Sequence, residues 1–336
     1  MKKALIICII IFVVAAIAFG ISVAATGVKE NKGFGISVSG TPFLVSSFGF
    51  TTKAGDVKEY TFNDSVRDIE IVTSVAETNV TVADVDKISV KYETETGGYN
   101  FNAKVDGDTL VVKEEGGFLF TLFSFDEKKS KLEIILPEKE YADVEIVTAS
   151  GNTVIDNLVC KELESVITSG SSKYNIFASE ISVTTTSGCV EVKNCTDRKA
   201  NKISLDSVSG SHTISGFKCN EFKFNSVSGC IKAEGISGRG NADVVSGEMI
   251  IEYAEWDNNL KLNAVSGEFD ITLPEDSGVE IDLDALSGEV DVELKEDEDD
   301  IDKSTFSGES NSGELGGDNV HEVKVDLVSG DVSIHN

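Results

Sequence analysis

Ten Ser-Gly pairs keep an almost fixed stride along the C-terminal part of this chain. They begin at Ser150, Ser169, Ser187, Ser209, Ser228, Ser246, Ser266, Ser287, Ser307 and Ser329, with 18 to 22 residues between successive pairs. A period near 20 is that of a solenoid, whose repeat is a single supersecondary unit that buries its apolar face only by stacking on its neighbours. Scattered surface turns do not keep step in this way.

Each repeat reads as two strands. Upstream of the Ser-Gly pair, apolar residues occupy every second position, as in Ile203/Leu205, Phe222/Phe224, Leu260/Leu262, Ile281/Leu283 and Val323/Val325. Downstream the alternation resumes in Phe269/Ile271, Val290/Val292 and Val332/Ile334. Period two with β-branched and aromatic residues marks strands with one buried face. The parity changes at the Val-Ser-Gly step (Val208, Val227, Val265, Val328), so a bend there carries both strands' apolar sets to one interior. Glycine suits such a bend because it enters positive φ without steric cost. The serines read as a structural ladder from coil to coil.

Two further columns recur. Three residues before the Ser stand Asp206, Asn225, Asp243, Asn263, Asp284, Ser304 and Asp326. An interleaved Asn or Ser relieves the repulsion of stacked carboxylates by donating hydrogen bonds to them. After the Gly stand Glu248, Glu268, Glu289, Glu309 and Asp331. Two readings of this second column stay open: a solvated edge that resists edge-on aggregation, or a line of carboxylates that binds Ca²⁺.

The chain has 336 residues and a net charge of −29. That field repels nucleic acid and anionic headgroups. Its acids are interleaved with apolar strand positions, unlike a disordered tail. The run Glu296–Asp300 falls between two repeats and reads as a solvated loop. Met1-Lys2-Lys3 precedes Ala4 to Ala25, a stretch without charge and long enough to cross a bilayer. The two lysines place the N-terminus inside and the remainder outside. Residues 1–26 are therefore expected to be a transmembrane anchor, with secretion following if they are cleaved. Residues 27–54 read as a Gly/Ser-rich linker, 55–145 as an irregular β cap with a degenerate first coil at Asp68–Val82, and 146–336 as the repeats.

Within the cap lies Gly116-Gly117-Phe118-Leu119-Phe120-Thr121-Leu122-Phe123-Ser124-Phe125. Phe118, Phe120, Phe123 and Phe125 either plug the end of the core or form an interaction patch. Cys189 and Cys230 share a column with Ser211 between them, too far apart for a disulfide. Cys195 with Cys219 is the one pair that adjacent coils could bring together. His212 falls in a column with Val190, Ile231, Met249 and Phe269 and reads as a core residue. No catalytic constellation emerges, and with Arg67, Arg198 and Arg239 the only arginines, no Arg cluster can be assembled for uronate binding.

The segments Asn263-Ala264-Val265-Ser266-Gly267-Glu268-Phe269-Asp270-Ile271 and Asp326-Leu327-Val328-Ser329-Gly330-Asp331-Val332-Ser333-Ile334 resemble the putative-adhesin family of bacterial β-strand-repeat proteins. Tyr60-Thr61-Phe62 and Lys131-Leu132-Glu133-Ile134-Ile135-Leu136-Pro137 resemble its cap. The resemblance covers roughly residues 55–336 and carries no catalytic residues with it. It implies a surface protein, and for some members an accessory role beside envelope-stress signalling.

The expectation is thus an all-β chain: a single-stranded, right-handed parallel β-helix with an irregular β cap, behind one transmembrane helix. Its first function reading is a non-enzymatic, extracytoplasmic adhesin-like scaffold with a protein or polysaccharide partner. An accessory component of envelope-stress sensing and a polysaccharide-active enzyme are the alternatives. No cofactor is expected apart from Ca²⁺. The last strand, Asp331–Ile334, has nothing after it and is expected to be an edge open to self-association.

Overall fold

The computed structural model describes residues 37–38, 41–42, 52–95, 98–116, 130–275, 277–297, 300–307, 311–316 and 319–336. Among them every regular element is a strand, and no helix is long and apolar enough to cross a membrane. The proposed anchor and the four phenylalanines of residues 118–125 lie outside the described residues. The chain divides into two compact units, one ending at Ile176 and the other starting at Phe177.

The strands are β1 (Ser37–Val38), β2 (Thr41–Pro42), β3 (Val57–Asn63), β4 (Asp68–Thr73), β5 (Glu77–Ala83), β6 (Lys87–Thr94), β7 (Tyr99–Asp106), β8 (Thr109–Gly116), β9 (Ser130–Pro137), β10 (Glu140–Ser150), β11 (Thr153–Ser169) and β12 (Ser171–Thr185). They continue with β13 (Cys189–Asn194), β14 (Ala200–Ser207), β15 (Ser211–Ser215), β16 (Lys218–Ser226), β17 (Cys230–Tyr253), β18 (Leu260–Thr272), β19 (Ser277–Ala285), β20 (Glu289–Asp297), β21 (Asp300–Ser307), β22 (Asn311–Gly316) and β23 (Asn319–His335).

In the first unit, β4 and β5 form a coil that pairs in parallel on both sides. Ile69 stands opposite Leu110 of β8 and Val144 of β10, and Thr78 opposite Leu132 of β9 and Thr153 of β11. The degenerate coil at Asp68–Val82 is therefore a true rung, with a later-sequence coil on each side. Outside this stack the pairing turns antiparallel, β6 against β9, β3 against β6 and β7 against β8. Alternating residues Ile88, Val90 and Tyr92 of β6 face inward and are buried, while Ser89 and Lys91 face out. Period-two patterning thus survives the change of direction.

In the second unit β14, β16, β17 and β18 stack in parallel and in register. Ile203, Phe222, Gly240 and Leu260 are opposite one another, with the side chains on the interior. Each fully buried Ile, Leu or Phe contributes about 1.5–3 kcal/mol relative to exposure. Gly240 leaves the room that Phe222 and Leu260 fill, since a Cβ there would collide with the Phe222 ring and a Leu260 methyl.

The order then departs from the sequence. β18 pairs in parallel with β23, not with β19, and β23 pairs on its other side with β19 and β20. The C-terminal coil is inserted between two earlier ones. The strand expected to be a terminal edge is therefore interior, with Val332 flanked by Phe269 and Val290. Beyond β19 and β20 the chain reverses: β20 and β21 form an antiparallel hairpin, and β22 runs antiparallel to β19. The acidic run Glu296–Asp300 joins the two strands of that hairpin, with Asp297 opposite Asp300, and its Glu298 and Asp299 lie outside the described residues.

The Ser-Gly stride has a steric cause. An added Cβ on Gly229 would overlap the carbonyl oxygen of Gly210, and one on Gly330 that of Gly267, each on the neighbouring coil. Their φ values of 109° and 134° also lie where L side chains are strained. Stacked corners thus approach too closely for any other residue. The serines contribute chiefly through their backbone, as in Ser228 N–H to the Val208 carbonyl (3.0 Å), while Ser209 Oγ reaches the Thr186 carbonyl at 3.3 Å.

Candidate functional site

Parallel, in-register stacking turns single side chains into columns. In the polar column of the second unit, Asp206, Asn225, Asp243, Asn263, Asp326 and Asp284 follow one another. Asn225 Nδ2 donates to Asp206 Oδ1 and Asn263 Nδ2 to Asp243 Oδ1, both at 2.5 Å. The insertion of β23 sets Asp326 beside Asp284, two carboxylates on adjacent rungs. Lys261 lies 3.7 Å from Asp326, and Lys324 pairs with Asp282, so the neighbouring column supplies the opposing charge. Ser304 leaves this column because β21 is antiparallel, which places it opposite Val292.

The carboxylate column runs Glu248, Glu268, Asp331, Glu289, all exposed. Glu309 lies outside the described residues. Among the described residues no group of three or more His, Cys, Asp or Glu is gathered as a metal centre. Lower on the same edge stand Cys189, Ser211 and Cys230 in register. Burial raises the Cys230 thiol pKa, and the adjacent Glu248 carboxylate adds to the effect.

Cys219 is a free thiol whose Sγ donates to the Ser237 carbonyl at 2.9 Å, so it makes no bridge to Cys195. Burial pushes it up to about 12, leaving it inert as a nucleophile. His212 is buried between Val190 and Ile231, its Nε2 2.7 Å from Ser207 Oγ. Burial lowers its pKa to about 4, so near neutral pH it is an uncharged core residue. His335 sits on the surface, Nδ1 3.4 Å from Asp270, and the His321 ring meets Trp256 edge-on at 5.7 Å.

Residues 66–335 match the family model described as Toastrack DUF4097. The chain belongs to this Toastrack family. A comparison with curated proteins finds no match. Similar solved structures include a putative lipid binding protein from Parabacteroides distasonis, 14% identical over 83% of this chain and 96% of that one, with a TM-score of 0.49. A putative adhesin from Parabacteroides merdae is 13% identical over 84% and 96%, with a TM-score of 0.45. Another, from P. distasonis, is 15% identical over 83% and 97%, also at 0.45. At these identities and TM-scores, what those proteins bind says nothing about this Toastrack chain.

One residue of this Toastrack chain escaped the sequence reading. Glu114 of β8 is fully buried. Its Oε2 accepts the backbone N–H groups of Ser74, Val75 and Ala76 at 3.1, 3.0 and 3.0 Å. Its Oε1 accepts Tyr92 Oη–H at 3.0 Å and Ser130 Oγ–H at 2.5 Å. Those three N–H groups form the corner between β4 and β5. At other corners the equivalent groups donate to carbonyls of the adjacent coil, as Val227 N–H does to Ser207 and Ser228 N–H to Val208. Here a side-chain carboxylate takes the place of those carbonyls. Burial raises the Tyr92 hydroxyl pKa, and the Glu114 charge raises it further. Tyr99 is pushed up to about 12 by the same two causes. The one local hint was the corner sequence Ser74-Val75-Ala76, which lacks the glycine present at later corners.

Proposed function

We propose that this chain is a non-enzymatic, extracytoplasmic surface protein, an adhesin-like module anchored by residues 1–26 and presenting its side-chain columns to a protein or polysaccharide partner. In this reading each unit is a length of single-stranded, right-handed β-solenoid. The observation that carries it is the register itself. Polar side chains recur on every rung at about 4.8 Å, as in the exposed series Glu248, Glu268, Asp331, Glu289, on a stack whose corners tolerate nothing larger than glycine. Such a scaffold offers a regular outer surface for recognition rather than an enclosed reaction chamber. The net charge of −29 disfavours nucleic acid as the partner.

The test is protease treatment of intact host cells, followed by fractionation and a cell-adhesion assay with a deletion strain. The reading expects cleavage from outside, recovery of the protected remainder with membranes, and weakened adhesion on deletion. A protease-resistant cytoplasmic protein, or unchanged adhesion, would sink it.

A further inference from the structure

The insertion of β23 builds a concave sheet face at one corner of the second unit, where the β20–β21 hairpin extends past the end of β23. Asn336 fixes this junction, its Oδ1 accepting Lys295 N–H at 2.9 Å and its Nδ2 donating to the Lys295 carbonyl at 3.3 Å. The groove so formed has a volume of about 610 Å³, within the range of ligand sites. Two rows of side chains cross this face. One runs Asp270, Ser333, Asp291, Thr305, and the other Thr272, His335, Glu293, Lys303. The groove proper takes in both rows from β23 to β21.

The chemistry of these rows narrows the ligand. Two carboxylates, Asp291 and Glu293, face two ammonium groups, Lys295 and Lys303, so the lining is balanced in charge. Lys303 Nζ already sits 2.8 Å from Glu293, and Thr305 Oγ1 donates to Asp291 at 2.6 Å. A divalent cation would have to displace both, and an anion would meet both carboxylates. A neutral ligand rich in hydroxyls displaces nothing. Its O–H groups find carboxylate oxygens with unused lone pairs, and its oxygens find hydroxyl and ammonium donors. The rungs lie about 4.8 Å apart, close to the length of one pyranose unit in an extended chain. Each successive sugar therefore meets a fresh pair of groups.

We infer that this groove between β23, β20 and β21 is a binding site for a neutral oligosaccharide laid across the strands. The inference rests on the surface-recognition reading above and gives it a ligand class. Among the described residues no Phe, Tyr or Trp lines the groove, so binding is through hydrogen bonds, weak per site and strengthened by multivalent display on a cell.

The experiment titrates the full chain, in a detergent without sugar, with cellotetraose, N-acetylchitotetraose and mannotetraose, and with tetragalacturonate as the charged comparator. Binding is read by saturation-transfer NMR and calorimetry, and folding of each variant by its melting temperature. At least one neutral tetrasaccharide should bind, at least tenfold more weakly to Asp291→Ala or Ser333→Ala, and unchanged to Lys202→Ala, exposed on β14 outside the groove. Binding of none of the three, binding of tetragalacturonate alone, or affinity indifferent to Asp291→Ala and Ser333→Ala overturns the inference. Cell adhesion separates the two readings. Adhesion that survives both groove variants leaves the surface role standing without the groove. Sugar binding without any adhesion leaves the groove standing without the surface role.

Discussion

Replacing Glu114 by alanine should be far more damaging than its single carboxylate suggests. The substitution removes the acceptor for two hydroxyls and three backbone N–H groups, that of Ala76 buried and those of Ser74 and Val75 partly buried, all between 2.5 and 3.1 Å from the carboxylate. The hydroxyls of Tyr92 and Ser130 can rotate towards other partners, but the N–H groups of Ser74, Val75 and Ala76 are fixed by the corner. A buried donor left without an acceptor costs about 1–3 kcal/mol. Three give roughly 3–9 kcal/mol, and water entering the vacated space brings the expectation to about 3–5 kcal/mol. Glu114→Gln keeps an amide oxygen for the three N–H groups and offers an amide N–H to hydroxyls that can accept. It exchanges charge-assisted for neutral bonds, at about 1–2 kcal/mol. Hydrogen exchange followed by mass spectrometry, reading peptides that span Ser74–Ala76, resolves the effect within the first unit. Urea unfolding supplies the total. A loss under 1 kcal/mol for Glu114→Ala, or equal losses for the two variants, would refute the view that the carboxylate replaces the carbonyls of a missing corner.

The depressed pKa of His212 predicts acid sensitivity. Its folded value of about 4 lies below the ordinary 6.5, so the unfolded chain binds the proton more readily and stability falls as pH drops from 6.5 towards 4. The ceiling is about 3 kcal/mol. His212→Ile, matched to Ile231 beside it, should flatten the denaturation midpoint across that window relative to the wild-type chain. An identical slope would contradict it. Gly229→Ala should cost well over 2 kcal/mol, because positive-φ strain of about 1–3 kcal/mol adds to overlap with the Gly210 carbonyl. Gly107→Ala, with open space around it, should cost only the strain. Equal melting temperatures for the two variants would remove close approach as the cause of the Ser-Gly stride. Deleting residues 319–336 should dissolve the cooperative unfolding of the second unit, since β18, β19 and β20 all lose a neighbour. Trp256 fluorescence follows that unit, because its backbone carbonyl accepts from Asn319 and its ring touches His321. A mild effect, as for the loss of an edge strand, would count against the inserted position.

The parts of this molecule that the sequence made legible are those where a residue's neighbours in space repeat its own pattern. Alternation fixed which faces are buried, and the stride fixed register closely enough to place Cys189, Ser211 and Cys230 in one column. Coil order was not legible, because the repeats are locally degenerate. Asn263 could donate equally to Asp284 or Asp326, and Leu260, which stands opposite Val323, could pack equally against Ile281. Nothing within twenty residues distinguishes β19 from β23 as the partner of β18. Ser307 keeps the stride, yet it belongs to a strand that runs the other way, β21 pairing antiparallel with β20 instead of stacking in parallel on a neighbouring coil. Glu114 lies 38 to 40 residues from the N–H groups it satisfies, and the groove draws on residues near 291, 305 and 333. Such long-range assembly leaves no period to read. Interior rungs are constrained on both sides, by apolar packing within and by glycine contact at the corners, so little of their composition is free. Where the stack changes direction these constraints relax on one side. The groove of the second unit and the Glu114 corner of the first therefore both arise where the repeat breaks, and a search for chemistry in chains of this kind should begin at such breaks.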